Sequence, residues 1–298
     1  MRERLISHLT QVADSDPRVV LLTADLGFGV VDSFRDRHPA RFFNVGVSEQ
    51  SMIATATGLA HMGMIPYCYS IATFASLRAL EFLRNGPVVH SLPVRIIGVG
   101  PGFDYTNDGI SHYAVDDLAA VRVLPNTLIW APSHESQVDQ DFDRVHEFPS
   151  LAYLRVPRHG LSHPPSTKLS SESNVCIVSI GDAHIEAVTL HQQLSMQGIL
   201  ADIFNWNWIT NELDARLMEV LNNYKIIVSV ENHYLRGGFG SALLEWSSKL
   251  VRQPKYVLHG VERMPVGALG SRQYLAESFM TAPEDTIGRV QQLLAEAT

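Results

Sequence analysis

The chain has 298 residues, enough for two domains of ordinary size, and its 46% hydrophobic and 18% charged residues are an ordinary globular balance. With 23 Lys plus Arg against 31 Asp plus Glu, the net charge is -8, which argues against nucleic acid as a partner but not against a phosphorylated small molecule, which needs one local basic cluster. No apolar run approaches the roughly 20 residues of a membrane span, and residues 1–8 lack the features of a signal peptide. Cys68 and Cys176 stand alone in separate apolar segments, so the expectation is a cytoplasmic protein without a disulfide framework or metal site.

Residues 2–13 have helical spacing, with Leu5, Ile6, Leu9 and Val12 on one face, and Asp16-Pro17 ends the run. Val19-Val20-Leu21-Leu22 reads as a buried parallel strand. It leads into Ala24-Asp25-Leu26-Gly27-Phe28-Gly29, at the carboxyl end of a strand, where open α/β sheets place ligands. Position 32 is Asp, so the third glycine of a dinucleotide fingerprint is missing. A short strand from Phe42 ends at Gly46, and a helix begins near Ser48. Further strands are expected at 65–70, 94–99, 127–130 and 151–155, with helices at 73–85, 116–122 and 135–145 and a long loop at 100–112. The alternation predicts a parallel sheet with helices on both faces.

Residues 157–174 are rich in Pro and Ser and have no periodicity, which makes them the linker candidate. The expected fold class is α/β: two α/β domains with mainly parallel sheets, at 1–158 and 175–298, joined by 159–174. The second domain reads as strands at 175–180, 201–204, 226–230 and 256–261, with helices at 185–197, 212–223, 241–250 and 283–297. Gly237-Gly238-Phe239-Gly240 could cradle a phosphate, but no Lys-Ser/Thr follows, so close helix–sheet packing is the expected role.

Glu49 draws most attention. It lies in the first turn of a helix whose body, residues 51–61, is nearly all Ala, Thr, Met, Ile, Leu and Gly. Such a helix belongs inside a protein or in a subunit interface. The helix dipole favours the carboxylate there, and desolvation favours the neutral acid. Locally, Glu49 reads equally well as a helix-start glutamate that satisfies free backbone amides.

Nine stretches, in order, resemble the C-terminal half of transketolase. They are Ala24-Asp25-Leu26, Phe43-Asn44-Val45-Gly46-Val47-Ser48-Glu49-Gln50, Thr73-Phe74, Asp108-Gly109-Ile110-Ser111-His112, Val121-Arg122-Val123-Leu124-Pro125-Asn126, Ala131-Pro132-Ser133, Ser179-Ile180-Gly181, Val230-Glu231-Asn232-His233 and Gly237-Gly238-Phe239-Gly240. The resemblance implies a pyrimidine-binding domain followed by the family's C-terminal domain. The family's Gly-Asp-Gly motif for Mg²⁺ and diphosphate is absent. The chain therefore resembles the second subunit of a split transketolase, whose partner would supply the diphosphate-binding domain and hold Mg²⁺. An α2β2 heterotetramer is expected, active on sugars through thiamine diphosphate.

The resemblance also implies roles. Glu49 would hydrogen-bond the aminopyrimidine of the cofactor and promote loss of the thiazolium proton. Phe74 and Leu77, with Asp25 and Leu26, would line the cofactor pocket. Asp108 and His112 would contact the donor ketose, with His112 assisting proton transfers. Arg2 and Arg158 would meet the far end of the substrate, with Arg155 an alternative to Arg158.

The departures bear on substrate. The aromatic that usually stacks on the pyrimidine is Leu77, and a usual third aromatic is Leu80. A Thr-His pair is replaced by Val99-Gly100 and a loop serine by Gly29. Each lost contact should weaken phosphate binding by about 1 to 3 kcal/mol. Phe103, Asp104 and Tyr105 fill the loop with bulk and a carboxylate that opposes an anion. The expectation is an unusual or unphosphorylated sugar. The alternatives are a 2-oxoacid dehydrogenase β-type subunit, a deoxyxylulose phosphate synthase-like enzyme, and a non-catalytic scaffold. Retention of Glu49, Asp108 and His112 together argues against the last.

Overall fold

The computed structural model describes residues 1–170 and 172–296. In the first half the strands are β1 (Val19–Thr23), β2 (Phe42–Asn44), β3 (Ile65–Ile71), β4 (Arg95–Val99), β5 (Leu128–Trp130) and β6 (Ala152–Val156). They pair in the order β2-β1-β3-β4-β6-β5, all parallel. Every residue of β1, β4 and β6 is buried, as strands covered by helices on both faces should be. The covering helices are α1 (Arg2–Ser15), α2 (Asp32–Arg37), α3 (Glu49–His61), α4 (Leu80–Leu83), α5 (Asp117–Arg122) and α6 (Glu135–His146). A reciprocal cap between His134 and Gln137 starts α6.

The single helix expected over 73–85 is instead three pieces. A π-helical turn at Phe74–Arg78 precedes α4, and a second one, Arg84–Val88, follows it. Pro87 cannot donate to a regular helical ladder. The Ser76 hydroxyl donates back to the Ala72 carbonyl at 2.6 Å, a side-chain bond that loosens the helical turn.

The second half contains β7 (Val175–Ile180), β8 (Ala201–Trp206), β9 (Trp208–Ile209), β10 (Ile226–Tyr234) and β11 (Lys255–Val261), with helices α7 (His184–Met196), α8 (Ala215–Asn223), α9 (Phe239–Ser247), α10 (Arg272–Phe279) and α11 (Pro283–Ala295). Four strands form a second parallel sheet, β11-β10-β7-β8. The fifth, β9, leaves that sheet and pairs antiparallel with β5, Ile129 opposite Ile209 and Trp130 opposite Trp208. It makes the first sheet seven-stranded. The mainly parallel α/β architecture is as expected. The helices α2 and α10 and the strand β9 went unforeseen, and β10 runs on through Glu231, Asn232 and His233. Ser171 of the expected linker and positions 297–298 of the expected second domain, including the end of its last helix, lie outside the described residues.

A buried ionic network ties the two halves together. Arg155 Nε donates to Asp117 at 2.8 Å, Tyr153 donates to the same oxygen at 2.8 Å, and Arg155 also reaches the Ala114 and Asn232 carbonyls. Arg272 pairs with Asp182 at 2.9 Å and with Glu186 at 3.2 Å. The expectation of Arg155 as an alternative substrate arginine is corrected here: its side chain is buried and its donors are engaged by Asp117, Ala114, Asn232 and Asp182.

Candidate active site

Glu49 is completely buried at the start of α3. The Ser70 hydroxyl donates to Oε1 at 2.8 Å from β3, and Arg78 Nη1 donates to Oε2 at 2.6 Å. The backbone amides that a helix-start glutamate would satisfy are not its partners. Two side chains hold it, one of them reaching in from solvent.

From Glu49 an unbroken run of contacts crosses the carboxyl end of the first sheet. The Arg78 guanidinium lies over the Phe74 ring, 4.0 Å from its centre. Phe74 meets His112 edge-on at 5.0 Å, and His112 meets Tyr105 at 5.9 Å. Arg158 lies over Tyr105 at 4.8 Å. These residues come from the segments after β2, β3, β4 and β6, so the sheet collects them from well-separated parts of the chain. The Ser111 hydroxyl sits 3.0 Å from His112 Nδ1, which leaves Nε2 as the nitrogen free to act outward. Asp108 is exposed in the turn just before.

Arg2, at the start of α1, joins the far end. Its Nε is buried without a hydrogen-bond partner. Burial raises the Tyr105 hydroxyl's pKa, and the charges of Arg158 and Arg2 oppose that rise. Asp104 is not simply repulsive. Burial raises its pKa, and its carboxylate accepts the Arg158 amide at 2.6 Å. Gly100 is explained by Tyr105: a Cβ there would lie 2.1 Å from the tyrosine ring. Gly29 has nothing within 4 Å of such an atom.

Asp25 has φ +58°, uncommon for a residue other than glycine. Its amide and carboxylate both bond the Asn44 side chain, at 3.1 and 2.9 Å. Leu26 is half-buried beside it and accepts the Thr23 hydroxyl at 2.7 Å. Leu77 is 38% exposed, next to Arg78. The structure thus brings Glu49, Phe74, His112, Arg158 and Arg2 to one end of one sheet, with Asp25, Leu26, Leu77 and Asp108 around it. Sequence reasoning missed Ser70, Arg78 and the position of Tyr105. Arg78 had a signal, since it stands four residues after Phe74 in an expected helix.

The glycine loop in the second half is already filled. Glu231, fully buried, accepts the amides of Phe239 at 2.5 Å and Gly240 at 2.8 Å. A Cβ on Gly238 would lie 2.0 Å from Glu231 Oε2. Burial pushes the Glu231 pKa up to about 8 and the neighbouring His233 down to about 4. A cavity of about 450 Å³ between α7, α10 and α11 is mostly apolar and contains none of the site residues above. Among the described residues, no cluster of three or more His, Cys, Asp or Glu could hold a metal ion, and no helix is long and apolar enough to cross a membrane.

Two mainly parallel α/β units, with a polar site at the strand ends of the first, define an α/β protein of the cofactor-binding type. The pyrimidine-binding domain of transketolase matches residues 1–163, and the transketolase C-terminal domain matches residues 166–285. The chain belongs to the transketolase family, whose members work with thiamine diphosphate. It is 28% identical to the 6-deoxy-6-sulfo-D-fructose transketolase subunit of Clostridium sp. strain MSTE9, over 95% of this chain and 91% of that one. It is 29% identical to 1-deoxy-D-xylulose-5-phosphate synthase of Syntrophus aciditrophicus over 93% of this chain, but spans only 43% of the synthase. Among solved structures it resembles a split-gene transketolase described as an inactive β4 tetramer, at TM-score 0.82 and 29% identity, covering 99% of this chain and 97% of that one.

Proposed function

We propose that this chain is the cofactor-activating subunit of a two-chain transketolase, which moves a two-carbon ketol unit from a ketose to an aldose. The observation that carries this is the fully buried Glu49 carboxylate, held by side chains rather than by its own helix and linked through Arg78 to Phe74 and His112. These residues fit the aminopyrimidine half of thiamine diphosphate: a buried proton carrier for a ring nitrogen and an aromatic face beside it. A relative named as a transketolase subunit and a similar structure named as a split-gene transketolase support a partner chain that would hold Mg²⁺ and the diphosphate. The bound cofactor supplies a carbon nucleophile that accepts and passes on the ketol unit. Glu49 holds and returns the proton at the pyrimidine nitrogen. His112, oriented by Ser111, moves protons at the sugar hydroxyls, and Asp108 accepts a hydrogen bond from one of them.

An α2β2 assembly in the cytoplasm is the proposed working form. That a related split-gene subunit is described as an inactive β4 tetramer supports dependence on a partner. The test mixes this chain with a chain carrying the diphosphate-binding domain. Ketose-to-aldose transfer is expected from the mixture, with negligible cofactor binding by this chain alone. Micromolar binding by the isolated chain would overturn partner dependence, and product from pyruvate in place of a ketose would favour the synthase reading.

The sugar is proposed to be an unusual or unphosphorylated one, on which a terminal phosphate gains little. The open space at Gly29 and the tyrosine filling Gly100 support this, as does the sulfonated ketose in a relative's name. Arg2, Arg158 and Tyr105 receive that end. The check is kcat/KM for matched aldoses with and without phosphate at fixed ionic strength. A ratio near one is expected. A preference of a thousandfold for the phosphorylated form, about 4 kcal/mol, would overturn it.

A further inference from the structure

Arg78 covers both surfaces that an aminopyrimidine would need. Its guanidinium donates to Glu49 Oε2 at 2.6 Å and lies over Phe74, its central carbon 4.0 Å from the ring centre. The π-helical turn at Phe74–Arg78 brings these two side chains together at the mouth of the site. Ser70 holds the other Glu49 oxygen from the buried side, whereas the Arg78 side chain is 37% exposed and Glu49 is fully enclosed. A ligand coming from solvent therefore meets Arg78 before it meets Glu49.

We propose that Arg78 is a positioning residue that occupies the pyrimidine place in the empty subunit and is displaced when the cofactor enters. The proposal rests on the cofactor reading above. A guanidinium is a fair stand-in for a protonated aminopyrimidine, being planar, cationic, rich in N–H donors and suited to stack on an aromatic face. Its presence also answers a physical need. A buried carboxylate with no partner is costly, and the arginine offsets that cost until the cofactor arrives. The exposed guanidinium can leave without opening the core, so the exchange needs only a side-chain swing.

The experiment uses the two-chain enzyme and its Arg78→Ala and Arg78→Lys variants. Thiamine diphosphate with Mg²⁺ is titrated by calorimetry, and its association is followed by stopped-flow fluorescence. Arg78→Ala is expected to bind about tenfold more tightly and associate faster, because no ion pair or stacked contact has to be displaced. Arg78→Lys keeps the charge without the plane and should fall between. If the Ala variant fails to assemble, the Lys variant carries the test, with a gain of about threefold expected. Unchanged or weaker cofactor binding by the variants overturns the proposal and gives Arg78 a structural or direct holding role. Failure of the unaltered enzyme to bind would overturn the cofactor reading itself, and this proposal with it. That failure is recognisable because it appears without any substitution.

Discussion

Two glutamates, Glu49 and Glu231, are both fully buried beside the start of a helix, yet they are held in opposite ways. Glu231 is gripped by backbone amides of the Gly238–Gly240 turn, and the missing side chain of Gly238 makes room for it. Nothing can take its place without rebuilding the loop. Glu49 is held by a hydroxyl and by an arginine that is partly in solvent. Burial alone therefore does not tell the two apart. What distinguishes Glu49 is that one of its partners, Arg78, is a partly exposed side chain.

The sharpest way to break this comparison is Glu49→Gln. It keeps shape and packing but not the exchangeable proton, so assembly should persist while kcat of the two-chain enzyme falls by about a hundredfold or more. Retention of most activity would make Glu49 the structural residue of the pair. The converse change is Gly238→Ala, which drives a methyl against Glu231 and against His233, 2.6 Å away. A loss of about 3 kcal/mol is expected, read as a lower denaturation midpoint, with kcat of the folded enzyme unchanged. His112→Ala should cost roughly a hundredfold in kcat/KM for the donor, the low end for a proton-transfer residue, with the cofactor Kd unaffected. An effect on the Kd alone would place His112 on the cofactor instead.

The remaining effect is a slope of stability with pH. The Glu231 pKa is raised to about 8 from 4.5, so between those values the folded chain keeps a proton that the unfolded chain has released. Its contribution to stability is complete below about pH 4.5 and is lost as pH rises toward 8. His233, lowered to about 4 from 6.5, works the other way: its contribution is present above pH 6.5 and lost as pH falls toward 4. Subtracting the stability profile of Glu231→Gln from that of the unaltered chain isolates the glutamate. The difference should decline between about pH 4.5 and pH 8. A flat difference would mean that Glu231 is ionised in the fold.

Most of the architecture was legible because long apolar strands and amphipathic helices carry their own periods. The β1, β3, β4 and β6 strands and the helix after Gly46 were all expected near their observed places. The β9 strand was not, since two residues have no period and its pairing with β5 is decided by chain some 80 residues away in sequence. The helix over 73–85 was read as regular because Gly86-Pro87 falls just beyond the expected end, while the wide turns depend on packing. At the site, Glu49, Phe74 and His112 were recognisable from motifs. Arg78 was not, because its importance lies in a contact with a residue 29 positions earlier. Arg155, offered as an alternative to Arg158, could not be told from it for the same reason: only two residues separate them, but one lies in the core and the other at the rim.

The short β9 strand has an evolutionary consequence. Having crossed into the second sheet, the chain returns to lie along β5 with Trp208 against Trp130, their rings 6.0 Å apart. A gene cut between the two family regions, near residues 163–166, would strip that cover from the first product and leave the β5 edge bare to pair with other chains. It would also divide the Arg155–Asp182 contact and leave charges buried without their counterparts. The two halves are thus tied to one inheritance. In this chain, a division ahead of the pyrimidine-binding region would leave these contacts whole, whereas one behind it would break them.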